Sequence, residues 1–192
     1  MSRYWSSDPH FGHRNIIKFE AENRPFSDTD EMDEALIRNH NAVVGPDDIF
    51  MCLGDAVLGD FERGIERLKR LNGYKILVPG NHDRIFSAEK PARIERFMPK
   101  YLEVFDDIWP ETNQIPLADG TMVAVSHFPY EGDHSESDRH ADKRPIDIGL
   151  PLIHGHVHGL WKTNGRMFNV GVDVNGLTPV HEDVLIEWAR TV

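Results

Sequence analysis

Cysteine is almost missing from this chain: Cys52 alone in 192 residues. A single thiol excludes an internal disulfide framework and a thiolate metal cluster. Its place inside the apolar run "IFMCL" marks a buried structural thiol rather than a nucleophile. A reducing, cytoplasmic setting is the expectation. Long apolar runs are missing as well, since no window approaches the roughly 20 residues of a membrane-spanning helix. The start, "MSRYWSSDPHFGH", lacks the basic region and the apolar stretch of about 7–15 residues that make a signal peptide. No membrane partner is expected. Positive charge is also scarce: Lys and Arg number 21 against 32 Asp and Glu, a formal net charge of −11. That balance disfavours general nucleic-acid binding, which needs clustered cations on the phosphates. A phosphorylated substrate stays open, because bound divalent cations would reverse the local sign.

What is present suffices for a full core. With 40% hydrophobic residues in 22.0 kDa, one domain over residues 1–192 is expected, with no internal repeat and no linker. "RYWSS" reads as a short first strand. Met32, Leu36, Ile37, Val43 and Val44 mark one face of a helix that begins between Ser27 and Asp30 and stops at Gly45-Pro46. "DIFMCL" reads as a buried strand, Phe61, Ile65, Leu68 and Leu71 as a helix capped by Asn72-Gly73, and "YKILV" as another strand. This β-α-β-α-β order implies parallel pairing. Later, Asp119-Gly120 and Asn164-Gly165 sit between apolar runs and signal hairpins. Two sheets are therefore expected. Residues 130–148 are polar and charge-mixed, a loop or a disordered segment.

The residues that carry chemistry lie at strand exits. "SDPH" follows the first strand, "GDAVLG" the second and "GNHD" the third, and in open α/β sheets ligands bind beyond the carboxyl ends of strands. His127 in "VAVSHFP" and His154, His156 and His158 in "LIHGHVHG" add imidazoles. Together these are oxygen and nitrogen donors of the kind divalent transition metals take. In an extended segment alternate residues point the same way, about 6.6 Å apart, so Asp8 and His10 are expected to converge on one ion. His156 and His158 can reach two neighbouring ions, which in two-metal sites lie about 3.5–4 Å apart. Asp55 is the best candidate for a bridge, because the Gly54-Asp55 corner permits close backbone approach.

Each block alone is weak evidence, and a lone Asn-His-Asp after a strand is most often a well-bonded turn. Five blocks in one order are specific. Asp8-Pro9-His10, Gly54-Asp55, Gly80-Asn81-His82-Asp83, His127 and Gly155-His156-Val157-His158 together resemble the calcineurin-like metallophosphoesterase superfamily. The flanking "HFGHRNII" and "NVGVDVNG" are similar, more loosely, to a small bacterial or phage-type branch. The resemblance implies an α/β fold, an αββα sandwich of two mixed β-sheets flanked by helices with the metals at their shared edge. It implies one ion on Asp8, His10, Asp55 and His158, and another on Asp55, Asn81, His127 and His156. The implied reaction is hydrolysis of a phosphomonoester or phosphodiester, of a small molecule or a nucleotide, by in-line attack of a metal-bridging hydroxide. His82 would then serve the leaving group as a catalytic residue, with Asp83 orienting it.

The donor set suits manganese, iron, zinc, cobalt or nickel, and manganese is the expectation the resemblance brings. His154 shares the parity of His156 and His158 but matches no family ligand, so it reads as structural or as a buttress. His13, Arg14 and Arg84 either touch phosphate or are solvated; His134 and His140 are expected to be solvated, and Asp173 is a buttress or a turn residue. A nuclease acting on DNA or RNA and a non-catalytic binding module on the same fold are the competing functions. Substrate identity and oligomeric state are not encoded in these blocks.

Overall fold

A computed structural model describes residues 1–133 and 140–192. The chain opens with β1 (Arg3–Ser6), a short helix α1 (Ile16–Phe19) and the longer α2 (Thr29–Val43). Asp28 caps α2 by accepting a bond from the Glu31 amide, and the Glu31 carboxylate reaches back to the Ser27 amide, so the start expected between Ser27 and Asp30 has a physical cause. β2 (Ile49–Cys52), α3 (Phe61–Leu68) and β3 (Tyr74–Leu77) complete the parallel units. Helix α3 ends at Leu68, a turn earlier than Asn72-Gly73. Gly73, at φ +95°, turns the chain into β3 instead of capping the helix.

Next come α4 (Pro91–Leu102), β4 (Asp107–Ile108), β5 (Thr112–Pro116) and β6 (Met122–Ser126). β7 (Leu152–His154), β8 (Thr163–Asn164), β9 (Met167–Asn169), β10 (Val180–His181) and α5 (Glu182–Ala189) finish the chain. Two five-stranded sheets form, in the orders β10-β1-β2-β3-β4 and β5-β6-β7-β9-β8. In the first, β1 to β4 are parallel and β10 is antiparallel to β1; in the second, both expected hairpins are antiparallel and β6-β7-β9 is parallel. Both sheets are thus mixed, as expected.

Alternation along the strands builds two cores. Phe50, Cys52 and Leu77 face Leu36, Ile65 and Tyr101 from the helices, while Trp5, Met51 and Ile76 face Val123, Ile153 and Phe168 across the sheets. Leu185 and Ile186 of α5 join the inter-sheet core, and Tyr130, Leu150 and Trp161 pack on the outer side of the second sheet. Cys52 is buried, and burial pushes its thiol pKa up, as a structural cysteine requires. Among the described residues, no helix is long and apolar enough to cross a membrane.

The two sheets are spliced at one edge. Ser7, just past β1, donates its amide to the Val170 carbonyl, accepts from the Val172 amide and donates its hydroxyl to the Leu53 carbonyl (3.2, 3.1 and 2.8 Å). Pairing then continues through the exit loops, with Asp8, His10 and Phe11 amides donating to Gly54, Asp55 and Ala56 carbonyls, each at 3.1 Å. This laced edge holds the polar residues in place.

Candidate metal centre

Asp8 and His10 leave β1, Asp55 leaves β2, and Asn81, His82 and Asp83 leave β3; His127 leaves β6, and His156 and His158 leave β7. The expectation that Asp8 and His10 converge from an extended segment is corrected. Both are in the left-handed region, at φ 57° and 50°, as are Asp55, His156 and His158 at 53°, 71° and 47°. Turns, not strand parity, aim these side chains. Glycines clear the space: a Cβ on Gly54 would strike the Gly80 backbone, and one on Gly155 would strike Ser7 and Asp8.

Donor atoms of Asp8, His10 and His158 lie within 4.8 Å of one another, and so do those of Asp8, Asp55 and His127; all five residues are buried. Asp55 Oδ2 lies between the two groups, 3.6 Å from His10 Nε2 and 3.5 Å from His127 Nε2. Asn81 Oδ1 is 3.1 Å from the same His127 nitrogen. Asp8 thus stands near both groups, not only the one expected. Among the described residues, Asp8 Oδ1 and both ring nitrogens of His10 are buried without a hydrogen-bond partner. Orphaned buried donor atoms are rare unless something takes them up, and carboxylate, imidazole and amide are a fitting set for two divalent ions. Charge agrees with this: burial first, and the Asp8 carboxylate after the offsetting charge of His127, raise the pKa of Asp55. Burial lowers that of His127, but Asp55 and Asp8 outweigh it and the net shift is upward. Cations would relieve this crowding of anions.

Each donor is held from behind. His127 Nδ1 donates to the Leu53 carbonyl at 2.7 Å, which turns Nε2 inward. His158 Nδ1 bonds Asp173 Oδ2 at 3.1 Å, and Arg24 grips Asp173 with Nε on Oδ1 (2.6 Å) and Nη2 on Oδ2 (3.0 Å). Arg24 is fully buried and also donates to the Asp8 and Pro9 carbonyls, so one guanidinium fixes the backbone of one donor and the ring of another. Burial works against it, but His158 and Arg24 hold the Asp173 pKa down to about 2, and His158 rises to about 9 although burial alone would lower it. Asp173 is therefore a buttress, and Arg24, which carries no local motif, went unread in the sequence.

Asp83 corrects another expectation. Its carboxylate accepts from the amides of Asp55, Ala56 and Gly80 and from the Tyr101 hydroxyl (2.9, 3.2, 2.9 and 3.1 Å), and none of these bonds reaches the His82 ring. It locks the β2 exit to the β3 exit. Burial first and Asp55 second raise its pKa to about 6. His82 contributes its amide to Asp55 Oδ1 at 2.8 Å, while its ring stands 5.5 Å from that of His10.

That ring borders a cleft of about 550 Å³ lined by His10, His13, Ile16, Phe19, Glu20, Leu58, His82, His158 and Leu160. His13 thus reaches the site region. Arg84 does not: its guanidinium lies over the Phe61 and Phe97 rings at 4.2 and 4.5 Å. Arg14 is exposed. His154 is buried, bonded to the Gly155 carbonyl and packed on Trp161, a structural histidine as read. His140 is half-buried against Phe86 and Phe128 rather than solvated, and His134 lies outside the described residues.

A family model for the calcineurin-like phosphoesterases matches residues 4–174. The Gene 66 protein of Mycobacterium phage L5 is 35% identical over 189 residues, covering 92% of this chain and 89% of that protein. An uncharacterized protein of Methanocaldococcus jannaschii is 31% identical, covering 96% and 89%. A solved structure of a protein of unknown function from Aquifex aeolicus superposes with a TM-score of 0.72 at 29% identity, covering 97% and 98% of the two chains.

Proposed function

Because the chain belongs to the calcineurin-like phosphoesterase family, we propose that it is a metal-dependent hydrolase of small phosphate esters. The observation that supports this best is the pair of buried donor groups that share Asp8, with Asp55 Oδ2 standing between His10 and His127. Asp8, His10, Asp55 and His158 would hold one ion, and Asp55, Asn81, His127 and His156 the other. Two divalent ions, when bound, polarise phosphoryl oxygens and make water nucleophilic near neutral pH.

The chain's own groups do the rest. His82 sits beside the cleft, where it can hydrogen-bond the departing oxygen, and Asp83 keeps the loops that carry Asp55 and His82 in register. Among the described residues, the cleft has apolar walls in Ile16, Phe19, Leu58 and Leu160 and no Lys or Arg. Such walls favour a diester bearing a single charge and an apolar or planar group over a dianionic monoester or a nucleic-acid strand. The test is a screen of nitrophenyl monoesters and diesters and of cyclic nucleotides with added Mn²⁺, Co²⁺ or Zn²⁺. Metal-dependent turnover that chelator abolishes, and that is faster on diesters, is expected. No turnover on any substrate with two ions bound would leave a binding module.

A further inference from the structure

In a chain where 32 acids face 21 Lys and Arg, one surface hollow reverses the sign. This hollow, of about 550 Å³, is lined by Arg84, Lys90, Ala92, Arg93, Arg96 and Phe97, and among the described residues by no carboxylate. It shares no lining residue with the cleft at the metal centre. Arg93 pairs with Glu89 at 3.3 Å, but Arg84, Lys90 and Arg96 form no ion pair among the described residues.

These cations are held in place. The Arg84 guanidinium rests on the Phe61 and Phe97 rings at 4.2 and 4.5 Å, and that of Arg96 lies over Phe97 at 5.2 Å. Lys90 takes the N-cap position of the twelve-residue helix α4 without a side-chain cap bond, and the first turn, which contains Arg93, holds no acid. Cations there oppose the helix dipole, which favours negative charge at that end. Like charge also crowds Arg84: burial first, then Arg93 and Arg96, lower its pKa against upward pulls from Tyr101 and Glu62. An anion in the hollow would relieve both.

We propose that this hollow binds an oligophosphate, a ligand of two or more linked phosphoryl groups, at a site separate from the metal centre. A lone phosphate carries at most about two negative charges, too few for three unpaired cations. The guanidinium forks of Arg84 and Arg96 can each donate paired bonds to phosphoryl oxygens. The net charge of −11 opposes a long polyanion, so a compact one is the match.

The experiment is calorimetric titration of the full chain with inorganic pyrophosphate at about 0.15 M salt, with chelator present so that metal takes up none of it. Wild type is expected to bind one pyrophosphate per chain. The double variant Lys90→Gln/Arg96→Gln, at two exposed residues, should bind at least about tenfold more weakly, as loss of charge-assisted bonds implies. Lys162→Gln, at an exposed cation before β8 in the other sheet, should match wild type. No saturable binding by wild type, or binding by the double variant at wild-type strength, overturns the site and leaves the metal centre untouched. Should the double variant fail to fold, Lys90→Gln alone decides by the same comparison. A parallel titration with ADP names the source: affinity above that of pyrophosphate assigns the site to a nucleotide's phosphates, and equal or lower affinity to the oligophosphate alone.

Discussion

Five of the seven non-glycine residues with positive φ among the described residues are candidate ligands: Asp8, His10, Asp55, His156 and His158. Each such conformation costs on the order of 1 kcal/mol or more for a residue with a Cβ. Concentrating it here trades chain stability for the direction of donor atoms. Substitutions that respect this backbone can therefore isolate chemistry from folding. Asn tolerates the left-handed region, so Asp55→Asn should leave the loop in place while removing the charge that both ions would share on the proposed ligation. It is expected to weaken both sites, whereas His158→Ala should lower the affinity of one; metal stoichiometry distinguishes the two patterns. His82 tests the reaction itself. Burial first and the charge of His127 second lower its pKa to about 4, against a smaller upward pull from Asp83 and Asp8. The ring thus meets substrate neutral at pH 7, and it can protonate a leaving oxygen only as the substrate's own negative charge raises that pKa. His82→Ala should retain both ions yet lose roughly 10²–10⁴-fold on an alkyl ester, whose alkoxide needs a proton, and far less on the nitrophenyl analogue. Single-turnover rates on both esters check this, and equal losses would assign His82 to the phosphoryl oxygens.

Elements show how far a sequence can be read. The first three strands, the α2 start and both hairpins were legible because apolar period and turn residues agree locally, whereas the two-residue strands β4 and β10 and helices α4 and α5 went unread. The ligand blocks were legible because each follows a readable strand directly. Arg24 and Tyr101 were not, since each acts on a residue far along the chain: Arg24 on Asp173, Tyr101 on Asp83. Local spacing also misled where loops curl, as at Asp8 and His10. Helix α2 supplies a pH effect remote from the centre. Its His40 donates Nε2–H to the Asn72 carbonyl, and burial holds its pKa down to about 4. Between its ordinary value near 6.5 and about 4, the unfolded chain binds more protons there than the folded one, so stability is full above that window and falls as pH drops through it. Asp33 on the same helix, raised to about 6 chiefly by burial, acts in the opposite sense. Comparing wild type with His40→Gln removes the Asp33 share. Thermal melts should show the wild type losing up to roughly 2.5 kcal/mol more than the variant between pH 7 and pH 4.5.

At the scale of the molecule, the inter-sheet core built on Trp5, Met51, Val123 and Ile153 is the surface along which the protein must open to unfold. Asp8, His10, Asp55 and Asn81 come from one sheet, and His127, His156 and His158 come from the other. On the proposed ligation, neither sheet can part from its neighbour while the ions stay. The consequence is kinetic. Refolding meets the ions only after the sheets have met, so Mn²⁺ should hardly change the folding limb of a denaturant chevron, while unfolding should slow until its rate follows that of ion escape. Stopped-flow unfolding with excess Mn²⁺ and with chelator measures the difference. A chain whose lone thiol can form no internal cross-link would then owe its lifetime in the folded state to a reversible tie that a chelator cuts.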